Sequence, residues 1–97
     1  TFPASTTEIG KNAFSNCNDI VKLTFPKVAE GKCLLIKNGA FKGCSKLKYA
    51  AVYGKAEIYE DAFGDCSDLE YVYKANDVNC QSNAFDKNNE KLNVLKL

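Results

Sequence analysis

Five cysteines and no histidine frame the chemistry open to this chain. The absence of histidine removes the commonest general base and the commonest metal ligand. The thiols stand at Cys17, Cys33, Cys44, Cys66 and Cys80. That set is odd in number and widely spaced, which fits neither a zinc pattern nor a disulfide framework. The carboxylates Glu60, Asp61 and Asp65 lie close together and invite comparison with an acid–base pair. Solvated turn residues and a helix cap explain them more simply. The stretch Asp86-Lys87-Asn88-Asn89-Glu90 has the composition of a calcium loop without its glycine or its ligand spacing. No nucleophile motif, phosphate-binding glycine loop or metal-ligand spacing occurs. The chain therefore reads as a non-enzyme without metal or cofactor.

Composition narrows the class further. Hydrophobic residues make up 45% and charged residues 26%, as in an ordinary globular domain. A net charge of +1 argues against a nucleic-acid surface, which needs a basic excess or stripe. No apolar run approaches the roughly 18 residues that would span a bilayer, so no membrane insertion is expected. Methionine and a signal-peptide pattern are both missing. The expectation is a single domain over 1–97, a processed form or excised piece of a longer array.

The positioning elements come from repetition. "IGKNAFSNC" at 9–17, "IKNGAFKGC" at 36–44 and "IYEDAFGDC" at 58–66 share one pattern. Phe14, Phe41, Phe63 and Phe85 each follow an alanine, at spacings of 27, 22 and 22 residues. Ile9, Ile36, Ile58 and Cys80 stand five residues before them, and Cys17, Cys44 and Cys66 three residues after the first three. Ile20, Leu47 and Leu69 follow three residues later. The fourth copy fits if one residue is inserted after Phe85, which puts Asn89 in the cysteine place and Leu92, Leu95 and Leu97 in the later ones. Phe2-Pro3 matches Phe25-Pro26. Units this small bury their apolar faces only by stacking.

Strands are expected near 22–26, 49–53, 71–75 and 93–97, forming a parallel sheet with strands about 4.8 Å apart. A shorter ladder is expected near 7–9, 35–37, 56–58 and 78–80. Each Ala-Phe is expected to open about one helical turn, N-capped by Asn12, Asp61 or Asn83, with Gly39 in that place in the second copy. Residues 27–35 carry the extra length of the first spacing and read as a loop bulging from one edge. The expected core is Ile9, Phe14, Cys17, Ile36, Phe41, Cys44, Ile58, Phe63, Cys66 and Phe85.

Two residue sets deserve separate readings. Stacked Cys17, Cys44 and Cys66 would approach to about 5 Å, yet side chains pointing the same way spoil a disulfide torsion. They read as small buried apolar groups, with Cys80 similar and Cys33 the most exposed. On the strands, inward Leu23, Ala50, Val72 and Leu95 leave Lys22, Tyr49, Tyr71 and Val94 facing outward. The next outward row is Thr24, Ala51, Tyr73 and Lys96, with Tyr53 beyond. Tyr49, Tyr53, Tyr71 and Tyr73 thus form the candidate partner-binding cluster, since tyrosine is enriched at interfaces. Lys22, Lys74 and Lys96 would supply a positive rim. Ordinary cross-strand pairing on a solvated sheet is the competing explanation.

The pattern carried by Pro3, Ser5, Thr7, Ile9, Gly10, Ala13, Phe14, Cys17 and Ile20 resembles the BspA-like, or Treponema-type, leucine-rich repeat. The resemblance covers nearly the whole chain. It implies a leucine-rich repeat solenoid of about four repeats of roughly 22 residues, with a parallel β-sheet on one face and short helical turns opposite. It also implies a secreted or cell-surface recognition and adhesion module. The expected partner is a protein, with extracellular matrix or another cell surface as the implied classes. A structural spacer without a ligand of its own is the alternative.

Overall fold

Each repeat contributes two short strands, because apolar residues recur at alternate positions twice per unit. The computed structural model describes residue 2 and residues 5–75, 77–85 and 89–96. Pro3, Leu97 and the Asp86–Asn88 part of the calcium-like stretch lie outside the described residues. Strands β1 (Glu8–Ile9), β3 (Leu34–Ile36), β5 (Ala56–Ile58) and β7 (Val78–Cys80) form one sheet. Strands β2 (Lys22–Phe25), β4 (Tyr49–Val52), β6 (Tyr71–Lys74) and β8 (Asn93–Lys96) form the other. Every pairing is parallel and joins one repeat to the next. The chain is a leucine-rich repeat solenoid, as expected.

The Ala-Phe segments are turns, and no helix occurs among the described residues. The reason lies in their hydrogen bonds. A helix satisfies its N–H groups within its own segment. Here alternate N–H groups leave the segment for the next repeat: Phe14 N donates to Ala40 O at 2.7 Å, Phe41 N to Ala62 O at 2.7 Å, and Phe63 N to Ala84 O at 2.8 Å. Left-handed backbone at two places per turn makes this possible. Asn12, Gly39 and Asp61 have φ of 57°, 67° and 60°, and Asn16, Gly43 and Asp65 have 61°, 79° and 55°. Glycine adopts that region freely, and Asn and Asp tolerate it best among the rest. Asn12 and Asp61 are therefore left-handed turn residues, not helix N-caps. The turns form a third line of contact along the stack, beside the two sheets.

Between these three lines lies the core. Phe14, Phe41, Phe63 and Phe85 stack with ring centroids 5.3, 5.3 and 5.5 Å apart and planes within 15° of parallel. Ile9, Ile36, Ile58, Phe41, Phe63, Cys44 and Cys66 are buried, and Phe14, Cys17 and Phe85 are partly buried against them. Ala40, Ala62 and Ala84 are also buried, where a larger side chain would separate turn from sheet. Phe2 stacks on Phe25 at 5.1 Å, so the matching Phe positions meet in space.

The inserted segment does more than bulge. Its last residues enter β3, and Val28 is buried in the core. Gly54 explains the close fit. A Cβ at that position would lie 2.9 Å from Lys27 Cα and 3.0 Å from Val28 N. Only glycine lets the insertion pack against the following repeat at this distance.

Phe63 has stacked neighbours on both sides and is almost wholly buried. Phe63→Ala should destabilise the fold by about 3–5 kcal/mol through lost contact and a cavity. Urea unfolding of the two proteins measures this, and an unchanged midpoint would place the ring outside the core.

The candidate site is a tyrosine face

Register fixes which side chains share the outer face of the larger sheet. Lys22, Tyr49, Tyr71 and Asn93 align as one row, and Thr24, Ala51, Tyr73 and Leu95 as the next. Alternation places both rows on the face opposite Leu23, Ala50 and Val72, which are buried. Tyr53 lies just past β4 on the same face and is 46% exposed; Tyr71 is 40% exposed. Tyr49 and Tyr73 are half-buried.

The rings of Tyr49, Tyr71 and Tyr73 form one connected cluster, and Tyr53 adjoins it at the Tyr49 hydroxyl. The Tyr49 and Tyr73 rings lie 5.4 Å apart with planes tilted by 46°, and Tyr71 and Tyr73 are 6.4 Å apart and nearly parallel. Lys22 Nζ sits 5.2 Å from the Tyr49 ring centroid, a cation–π contact. A hydrogen-bonding interaction with Tyr53, then desolvation, holds the Tyr49 hydroxyl above the usual phenol range. The neighbouring phenols of Tyr53 and Tyr73 add to the same direction. Ala51 stands in the outward row yet is fully buried. The rings therefore close over the sheet rather than standing off it.

The fourth strand differs from expectation by one residue. Tyr71 pairs with Asn93, Val72 with Val94 and Tyr73 with Leu95. Val94 thus sits in the inward row and Leu95 in the outward one. The insertion after Phe85 is compensated between Leu92 and Asn93, where the link is one residue shorter than Leu69 to Tyr71. Asn89 keeps its place, and Asn93 N donates to Glu70 O at 2.8 Å. Leu95, 38% exposed beside Tyr73, joins the face unforeseen. Lys74 and Lys96 pair with each other in the alternate row, so they do not rim the tyrosines. Lys22 alone of the three does.

The cysteines act as hydrogen-bond donors. Cys44 Sγ donates to Phe14 O at 3.3 Å, and Cys66 Sγ donates to Phe41 O at 3.2 Å. Each thiol thus satisfies a carbonyl of the preceding turn, which an alanine or valine of similar size would leave with less. Asn89 does the same through an amide: its Nδ2 donates to Cys66 O at 3.2 Å and Leu69 O at 2.7 Å. Burial pushes the Cys44 thiol above its usual range, the hydrogen bond from Cys17 working against it.

The two remaining thiols exchange their expected places. Cys33 is half-buried, and Cys80 is the exposed one. Cys80 follows the isoleucine register of Ile9, Ile36 and Ile58, but it lies on the last strand of its sheet. Desolvation still raises the Cys80 thiol, opposed by the charge of Lys74.

A family model described as the BspA type leucine rich repeat region matches residues 1–93, in six copies. The chain belongs to this family. No curated protein and no solved structure gives a significant match. The BspA-type pattern accounts for the Ile, Ala-Phe and Cys positions that build the stack. The tyrosines lie at positions that the stack leaves facing out.

Alkylation of the native protein should modify Cys80 first, and Cys44 and Cys66 only on unfolding. Below its raised pKa the Cys80 thiolate fraction is small, so its rate should trail that of a free thiol at neutral pH and rise as pH increases. Peptide mapping after timed alkylation checks the order. Early labelling of Cys66 would contradict the burial and hydrogen bonding described above.

Proposed function

We propose that this chain is a recognition module that binds a protein partner through the outer face of its larger sheet, at the surface of a cell or outside it. The observation that carries this reading is the ring cluster of Tyr49, Tyr71 and Tyr73, with Tyr53 adjoining it on the same face and Leu95 extending it, and with Tyr53 and Tyr71 well exposed. Such clusters offer rigid apolar area with polar tips, the material of binding hot spots. Surface location and a matrix or cell-surface partner rest on the family resemblance. Leucine-rich repeats are in general binding rather than catalytic scaffolds, and no catalysis is assigned to this one. A spacer role is the second reading. It is favoured by the packing of Tyr49 on Tyr73, which meets part of the cluster's need for contact internally.

The variant Tyr71→Ala separates them. Affinity for a responsive member of a panel of purified extracellular matrix proteins, read by surface plasmon resonance, should fall by about 2 kcal/mol. Stability in a thermal melt should fall by less than about 1 kcal/mol, the scale of a cross-strand pair. Lys11→Ala, in an exposed turn, should change neither. A Tyr71→Ala protein with unaltered affinity and stability would favour the spacer.

A further inference from the structure

The insertion that breaks the repeat spacing builds a cleft of about 650 Å³ beside Tyr53. Its walls carry Lys27, Lys32 and Lys55 together with Glu30 and Asp77, and Tyr53 is part of the lining. Val28 and Ala75 supply apolar lining. The cleft is structurally fixed on one side: Gly54 and the Lys27–Val28 backbone pack too closely to admit a Cβ. Lys32 N donates to Ala29 O at 3.0 Å across a turn where Gly31 has φ of 81°. Among the described residues, the ion pair formed by lysine is Lys91 with Asp68, on another part of the stack. None of the three cleft lysines has such a partner there.

Charge on the adjoining face has the same sign. The outward rows hold Lys22, Thr24, Tyr49, Ala51, Tyr53, Tyr71, Tyr73, Asn93 and Leu95, without one carboxylate. Cleft and face meet at Tyr53, so they form one surface with an aromatic stretch and a lysine-rich end. A partner lying across both must offer apolar contact to the rings and negative charge to the cleft.

We infer that the cleft receives an acidic segment of the protein partner, whose neighbouring apolar or aromatic residue packs on the tyrosine face. This rests on the sheet face being the binding surface and specifies the partner's chemistry. The three lysines outnumber Glu30 and Asp77 by one, so the partly enclosed cleft keeps a net positive charge, and attraction to a carboxylate there exceeds what a freely solvated charge gives. Burial of an apolar anchor on the adjacent phenols supplies contact that salt does not screen. The insertion thereby gains a role that the regular repeat does not need.

The test uses short random peptides displayed on phage and selected on the whole chain. Enriched peptides should combine Asp or Glu with an aromatic residue or leucine. Synthetic copies, followed by fluorescence anisotropy, should bind more weakly as sodium chloride is raised. The triple variant Lys27→Ala, Lys32→Ala, Lys55→Ala should lose at least about tenfold in affinity and most of that salt dependence. Tyr71→Ala should also weaken binding but keep the salt dependence. The three lysines are solvent-facing, and a thermal melt confirms that the triple variant is folded.

Selection of basic or uncharged peptides, or of none, would overturn the inference. So would a folded triple variant that binds the acidic peptides as well as the parent does. If Tyr71→Ala still lost affinity in that case, the tyrosine face would remain the binding surface and only the acidic-cleft assignment would fall. Dextran sulfate tests the other source of negative charge. Lysine-dependent binding of dextran sulfate with no binding of acidic peptide would assign the cleft to a polyanionic saccharide and refute the peptide assignment.

Discussion

Everything in this fold depends on one contact between successive repeats: a phenylalanine stacked on its counterpart, with its own N–H bonded to the next alanine carbonyl. The Phe41 and Phe63 rings lie 5.3 Å apart, and Phe41 N reaches Ala62 O at 2.7 Å. The two terms reinforce each other. Ring stacking fixes the separation and phase of the turns, and that phase aligns each donor with its acceptor. The carbonyls of the same residues receive the cysteine thiols of the following repeat, as Phe41 O does from Cys66 at 3.2 Å. A single unit offers none of these partners to itself. Stability is therefore a property of neighbours, as expected for a quasi-one-dimensional stack.

The outer face inherits its order from that contact. Parallel register with nothing slipped between β2, β4 and β6 puts every second residue of a strand outward. A slip by one residue would exchange the tyrosines with Ala50 and Val72 and bury phenols in a core with no buried polar side chain among the described residues. The tyrosines thus cost the fold little while they face out. Their mutual packing over Ala51 also limits how far the rings move. A cluster of constrained aromatic rings loses little conformational entropy on binding, which favours recognition by such a surface.

Much of this was legible in the sequence because the chain repeats itself. The repeated Ile, Ala-Phe and Cys offsets gave both sheets, the strand positions to within a residue or so, and the inward face. The tyrosine rows followed from alternation alone. Three features were not legible. The turns looked helical because Asn and Asp serve equally as helix caps and as left-handed residues; only the paired positions two before and two after each Phe distinguish the uses. Those pairs are Asn12 and Asn16, Gly39 and Gly43, and Asp61 and Asp65, and their left-handed φ is a property of the folded turn. The phase of β8 differs from expectation because a residue gained after Phe85 is given back before Asn93, and a strand with apolar residues at both parities carries no signal for either. The places of Cys33 and Cys80 depended on how the insertion folds and on which strand ends the sheet, neither of which spacing reveals.

Native-state hydrogen exchange tests the central contact most directly. The amides of Phe41 and Phe63 point into neighbouring turns at 2.7 and 2.8 Å, between buried rings. They should be among the slowest in the chain, exchanging only with opening of the stack, at rates matching those of the central strand amides. Exchange of these two amides as fast as that of Lys32 in the insertion loop would contradict the account, and would leave the sheets alone to hold the repeats together.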